Sequence, residues 1–263
     1  MNLIKKQLYI PTTKKKRTIR VLLPDDYQES QKSYPVLYMH DGQNLFEDKT
    51  AFNKTSWKIY ETLNTLKKSL KLNQDIIIVG IDNSDLRMFE YAPWVGKNLI
   101  KGMLKVQVGG LGDVYADFIV NKVKPYIDKN FRTKKDYEHS SIGGSSMGAY
   151  ISTYIAAKYP HTFKSVGVFS LASWFNEEDF LNYIKYADLK ADQRFFISIG
   201  KNETSDENHK TFNQLYLENS RNLKALLEEK NVGDIFYIET DDKHHELAWR
   251  KMFSTFILWL LKS

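Results

Sequence analysis

Residues 142–152 read Ile-Gly-Gly-Ser-Ser-Met-Gly-Ala-Tyr-Ile-Ser. The run that leads into them, Ser140 to Gly144, has the length and composition of a strand buried on both faces, and Met147 to Tyr159 beyond them is apolar nearly all round, as a buried helix is. Between the two lies Gly144-Ser145-Ser146-Met147-Gly148, a G-x-S-x-G at a strand-to-helix turn. Such a turn projects its central serine, and glycines two residues to either side let the neighbouring backbone approach without Cβ clashes. Ser146 is therefore the candidate nucleophile. The N–H of Met147, in the first turn of the helix, would point at a substrate oxyanion with the helix dipole behind it.

Outward from this turn, strand-like and helix-like segments alternate. Short apolar runs at Pro35–His40, Ile76–Ile81, Ser165–Ser170, Phe195–Gly200 and Ile235–Ile238 suit strands covered on both faces. Gln7–Ile10 and Thr18–Leu23 alternate apolar and polar residues around a lysine turn, as an antiparallel hairpin at a sheet edge does. Phe118, Ile119, Val123, Tyr126 and Ile127 share one helical face, and Leu215–Lys230 and Glu246–Leu261 are long and amphipathic. The pattern predicts an α/β sandwich with a mainly parallel central sheet, an antiparallel N-terminal hairpin and helices on both faces. No repeat or linker divides the chain, so residues 1–263 read as one domain. Residues 83–112, irregular and rich in glycine, are the expected cap or substrate loop.

With no cysteine, disulfides, a thiol nucleophile and every cysteine-based metal site are excluded. The net charge of +6 is spread along the chain apart from short clusters at Lys14–Arg17 and Arg132–Lys135, which reads as a solvated surface rather than a nucleic-acid footprint. The longest apolar runs, such as Phe256–Leu261, fall well short of the ~20 residues of a membrane span. The first residues carry no secretory signal, so the expected location is cytoplasmic. Neither nucleic acid nor membrane is an expected partner.

A serine needs a base, and in a chain of this order the base follows an acid near the C-terminus. Of the six histidines, His244 and His245 stand directly after the last predicted strand, and spacing alone leaves both open. The acid should follow Phe195–Gly200, where Glu203 is the nearer candidate and Asp206 the alternative. The loop His40-Asp41-Gly42-Gln43-Asn44 after an early strand would supply the second oxyanion donor, the N–H of Gln43.

Several stretches together resemble one family: VLYMHDGQNLF at 36–46, SW at 56–57, IIIVGIDN at 76–83 with Arg87 and EYAPW at 90–94, GDVYADFIVNKVKPYID at 112–128, IGGSSMGAYIS at 142–152 and HHELAW at 244–249. They are similar to the esterase D type of putative esterases among the α/β hydrolases, a group with siderophore, feruloyl and acetyl-xylan esterases and mycolyl transferases. The resemblance implies a serine carboxylesterase that needs no cofactor and no metal, with Ser146 as nucleophile, Glu203 as acid and the amides of Gln43 and Met147 as oxyanion hole. It also implies His244 as base, since relatives commonly read H-N-E-x-x-W where this chain has HHELAW. The implied partner is a small-molecule ester. A siderophore trilactone esterase is the specialised alternative, and an acyltransferase on the same triad the other. Trp57, Arg87, Tyr91, Trp94 and Trp174 fall in or beside loops above the C-terminal strand ends, where α/β proteins bind ligands, and form the expected substrate rim. Arg87 in particular is expected either to be free to meet a carboxylate or phenolate or to be held in a surface ion pair.

Overall fold

In a computed structural model the described residues are 1–10, 12–96, 108–174, 176–205 and 211–262. Eight strands form one sheet: β1 (Asn2–Ile10), β2 (Lys15–Leu23), β3 (Val36–His40), β4 (Ile77–Ile81), β5 (Ser140–Ser145), β6 (Ser165–Phe169), β7 (Arg194–Gly200) and β8 (Asp234–Thr240), in the spatial order β1-β2-β4-β3-β5-β6-β7-β8. β1 pairs antiparallel with β2, and β2 with β4; from β4 to β8 every pairing is parallel. This is the mixed sheet of an α/β hydrolase, with the hairpin at its edge.

The apolar runs are continuous because both faces of the sheet are covered, and successive side chains point to opposite faces. Val36 and Tyr38 of β3, Ile77 and Val79 of β4 and Phe195 and Ile197 of β7 enter one core. Leu37, Met39, Ile78 and Phe196 enter the other. The first core is closed by α3 (Gly112–Phe118), α4 (Lys124–Asn130), α5 (Met147–Lys158), α6 (Glu177–Tyr186) and α7 (Phe212–Glu229). The second is closed by α1 (Ile59–Lys68) and α8 (Glu246–Leu260), with the short α2 (Arg87–Glu90) following β4. The expected face of Phe118, Ile119, Val123 and Ile127 is buried, but it does not lie on one unbroken helix. A π-turn over Ile119–Val123 separates α3 from α4, where Pro125 offers no N–H to the carbonyl four residues back. No described helix is long and apolar enough to cross a membrane.

The hairpin is more than an edge. Arg17 of β2 is buried and reaches across to the segment after β4, where its Nη2 lies 2.8 and 2.9 Å from the two carboxylate oxygens of Glu90 and its Nη1 donates to the Asp82 carbonyl (3.1 Å). The lysine-rich start of the molecule is thereby fixed to the loop that borders the site.

Replacing Arg17 by Met would leave the Glu90 carboxylate buried without its counter-charge, at a cost of about 3–5 kcal/mol. Urea denaturation should show that loss for Arg17→Met and recovery of most of it when Glu90→Leu is added; equal stability of the single variant and the parent would show that the pair has no such role.

Candidate active site

The strand order places β3 between β4 and β5, so the chain leaves β3 toward one side of the sheet and later returns on the other. In open α/β sheets the ligand crevice lies at such a switch of direction, here at the carboxyl ends of β3 and β5. Around it, the residues that follow β3, β5 and β6 all turn through positive φ: Asp41 (54°), Ser146 (58°) and Ser170 (56°). Each is a non-glycine residue in a backbone region that costs of order 1–3 kcal/mol, so its surroundings must hold it there.

Ser146 has φ 58° and ψ −123° between β5 and α5. Its N–H donates to the Phe169 carbonyl at the end of β6 (2.8 Å), and its own carbonyl accepts from Ala149 (3.1 Å) and Tyr150 (3.2 Å). The residues on either side are buried while Ser146 itself is partly open. A Cβ on Gly144 would come within 2.9 Å of the Gly148 backbone, so that glycine is required by the tightness of the turn. On Gly148 it would meet the Cβ of His40 at 3.4 Å and the Asp41 carboxylate at 3.5 Å, so there the helix start packs on the loop after β3.

Glu203 follows β7 and is buried, with its carboxylate fully engaged. Oε2 lies 2.8 Å from His244 Nδ1; Oε1 accepts from the Gly200 N–H (2.8 Å) and from the Ser170 hydroxyl. Ser170 Oγ in turn accepts from the indole N–H of Trp249 on α8 (2.8 Å). With Nδ1 committed to Glu203, the free nitrogen of His244 is Nε2. Tyr216 on α7 is buried with its ring 4.8 Å from the imidazole centroid, and its hydroxyl interacts with that of Ser146. Geometry also separates the two histidines. His245 Nδ1 accepts from the Leu247 N–H (3.1 Å) as the N-cap of α8, and its side chain is 42% exposed against 14% for His244. Asp206 lies outside the described residues.

On the other flank, the loop after β3 is built on a second buried carboxylate. Asp41 takes both a bidentate contact from Arg87 (Nε and Nη2, each 2.8 Å) and the amide of Asn83 (2.6 Å). Burial alone would raise its pKa; the charge and hydrogen bonds of Arg87, with Asn83, outweigh that and hold it below the usual carboxylate range. Gln43, whose side-chain oxygen accepts from the Asn83 N–H (3.0 Å), is held by the same segment. Gly42 is packed on β4 so closely that a Cβ would lie 2.6 Å from the Gly80 carbonyl carbon. Met147 N–H belongs to the first turn of α5, which has no intrahelical carbonyl to pair with.

The expected rim needs correction. Trp57 is buried in the second core against Phe169, Trp249 and Phe253 rather than exposed at a loop. Tyr91 is fully buried and accepts from the Asp41 N–H (3.2 Å). Arg87 is not free, because Asp41 already occupies the fork expected to meet a substrate carboxylate or phenolate. Trp94 packs half-buried on Tyr154 and Tyr183, and Trp174, also half-buried, on Phe212. Of the expected cap at 83–112, residues 97–107 lie outside the described residues; its ends are joined where Gly96 N–H donates to the Val108 carbonyl (2.8 Å). Ser170, Tyr216 and Asp41 were not anticipated. Only Asp41 carries a signal in the sequence, a charged residue directly after an apolar strand. Among the described residues no cluster of three His, Cys, Asp or Glu side chains could hold a metal.

Comparison with known proteins adds kinship to this geometry. A model of the family described as putative esterase matches residues 10–260. The protein YbbA of Bacillus subtilis strain 168 is 26% identical over 248 residues, covering 93% of this chain and 92% of YbbA. Esterase Rv1288 of Mycobacterium tuberculosis H37Rv is 31% identical over 147 residues, which are 56% of this chain and 27% of that longer protein. Siderophore hydrolase EstA from Aspergillus nidulans superposes with a TM-score of 0.77 at 19% identity, covering 99% of this chain and 94% of that one, a likeness that carries the fold.

Beneath the Asp41 loop, His40 is buried between Tyr91 and Tyr115, with Nδ1 2.8 Å from the Tyr115 hydroxyl, and burial lowers its pKa from 6.5 to about 3. The folded state refuses a proton that the unfolded chain takes up at about pH 6.5, so His40 contributes stability that is whole above that pH and is lost progressively as pH falls toward 3, by up to about 1.4 kcal/mol per unit. Asp41 does not interfere until below its unfolded value of 3.8. Stability measured from pH 6.5 to 4.5 should therefore decline less steeply in His40→Asn than in the parent; identical slopes would remove His40 from the account.

Proposed function

The chain belongs to the putative esterase family, and from that premise we propose that it is a serine carboxylic-ester hydrolase, with Ser146 forming the acyl-enzyme. Ester hydrolysis is the chemistry of the family; the roles of the individual residues are our reading. What supports it is the run of contacts from Trp249 through Ser170 and Glu203 to His244, together with Tyr216, whose ring meets His244 and whose hydroxyl interacts with that of Ser146 in the G-x-S-x-G turn.

In this mechanism His244 Nε2 takes the Ser146 proton as Oγ attacks the ester carbonyl carbon. Glu203 holds the imidazole by Nδ1 and faces the positive charge that develops on it. The carbonyl oxygen, now negative, is met by the N–H groups of Met147 and Gln43, each worth about 3 kcal/mol in the transition state. Collapse expels the alcohol, which receives the proton from His244. Water then enters, gives a proton to His244, and attacks the acyl-enzyme; the acid leaves and Ser146 regains its proton. No step calls on a cofactor, and the whole chain acts as one catalytic domain.

A serine-directed fluorophosphonate should modify Ser146, and Ser146→Ala should lose at least about 1,000-fold in hydrolysis of p-nitrophenyl acetate with its melting temperature kept. His244→Ala should lose nearly as much, His245→Ala only a few-fold, and Glu203→Gln about 100- to 10,000-fold. Residual turnover in the purified Ser146 variant at the parent rate would refute the nucleophile; a full rate in Glu203→Gln would remove the acid. A panel of acetylated-sugar, phenolic and catecholate-lactone esters, run with and without added alcohols, then identifies the substrate class and separates hydrolysis from acyl transfer.

A further inference from the structure

The mechanism above leaves one neighbour of both working side chains without a part. Tyr216 stands at the second turn of α7 and is 1% exposed. Its ring lies over His244 at 4.8 Å and 39°, while Trp249 meets the same imidazole edge-on at 5.1 Å and 90°. Its hydroxyl is 2.5 Å from Ser205 Oγ and also interacts with the Trp174 indole and the Ser146 hydroxyl. A residue that merely filled the core would have little reason to bring a phenol oxygen to this spot, since a buried hydroxyl is costly unless it is hydrogen-bonded.

We propose that Tyr216 is a working member of the site: its hydroxyl sets the direction of the Ser146 hydroxyl, and its ring seats His244 and faces the charge the imidazole acquires. The proposal rests on the reading of Ser146 as nucleophile and His244 as base. A serine hydroxyl swings freely about its Cα–Cβ bond, and the Tyr216 hydroxyl as a partner confines it to the arc from which attack occurs. When the proton passes from Ser146 Oγ to His244 Nε2 and the Oγ–carbon bond forms, the imidazole becomes a cation held against an aromatic face, an attraction absent in the neutral resting state and so selective for the transition state. Tyr216 keeps its own proton throughout. Burial raises its pKa above the ordinary 10, so it acts as a hydrogen-bonding group and not as an acid or base.

The alternative is that Tyr216 is only a wall of the substrate pocket, and the two roles differ in what they change. A wall alters substrate binding, hence KM; a group that aims the nucleophile and seats the base alters kcat and the rate of covalent modification at saturating probe. The full chain and its Tyr216→Phe and Tyr216→Leu variants are compared for kcat and KM on p-nitrophenyl acetate and for the limiting rate of fluorophosphonate labelling at Ser146, with melting temperatures alongside. Tyr216→Phe keeps the ring and should lose roughly 3- to 10-fold in both kcat and labelling rate, with KM within about twofold. Tyr216→Leu, lacking ring and hydroxyl, should lose roughly 10- to 100-fold. The Phe variant differs from the parent by a single oxygen and keeps the test valid even where the Leu variant does not fold. Rates within twofold of the parent in the Phe variant, or losses confined to KM in either, overturn the proposal while the nucleophile reading stands. A parent protein that takes no label at Ser146 overturns that reading instead.

Discussion

The site depends on a buried carboxylate that has no water to turn to. Glu203 is 1% exposed, and a carboxylate at that depth is tolerable only if its oxygens are occupied by donors. Those donors come from three separate places: the end of β7 (Gly200), the turn after β6 (Ser170, itself held by Trp249 of α8) and the loop before α8 (His244). Because each must arrive for the charge to be satisfied, Glu203 fixes the relative positions of β6, β7 and α8, and the imidazole is positioned as one consequence. Gly200 shows how tight the arrangement is, since a Cβ there would fall 2.2 Å from the Asp242 carbonyl oxygen.

A second buried carboxylate organises the opposite side of the crevice. Asp41, held by Arg87 and Asn83, keeps the turn after β3 in its left-handed conformation, and the segment that supplies those partners is anchored in turn by Glu90 to Arg17 of the hairpin. The loop offering the Gln43 amide is therefore connected by successive ion pairs to the far edge of the sheet. Such pairs are poor sources of net stability, because desolvation offsets much of the attraction. What they supply here is direction: a bidentate arginine accepts a carboxylate in few orientations, so the loop after β3 is held in one of them.

How much of this was legible depended on whether a feature was local. The strands of the sheet and the amphipathic helices α7 and α8 are periodic patterns within one segment, and their core positions follow from the period. The strand-to-helix turn at Ser146 was legible for the same reason, as glycine spacing around it is a short-range steric demand. α1 and α6 were not anticipated, although Ile59, Leu63 and Leu66 recur at helical spacing and Glu177, Glu178 and Asp179 make an acidic first turn. Ser170 and Tyr216 left no trace, because Ser170 takes its side-chain partners from Glu203, 33 positions on, and from Trp249 of α8, while Tyr216 meets His244 from another element, and one sequence carries no record of which distant side chains will meet. For Arg87 the sequence left a free side chain and an ion pair both open, for a related reason. An arginine in an irregular loop looks free until the fold brings Asp41, 46 residues earlier, to its fork.

The fate of the aromatic residues follows from the same reasoning. Trp57 and Tyr91 lie in or beside loops in the sequence, yet the structure uses them as packing: Trp57 closes the second core beneath α8, and Tyr91 lines the floor of the Asp41 loop with Tyr115 and His40. A large ring gains most by complete burial, so an aromatic near a strand end is drawn inward unless its polar atom finds a partner at the surface. The residues that remain at the crevice are those whose polar atoms are needed there, the Ser146, Ser170 and Tyr216 hydroxyls and the His244 imidazole. Three of the turns around them, at Asp41, Ser146 and Ser170, sit in strained backbone, and each is held by hydrogen bonds to another element of the sheet or its flanks. Strain and polar burial, which both oppose folding, are concentrated around these turns, and the large apolar faces on either side of the sheet supply the stability that sustains them.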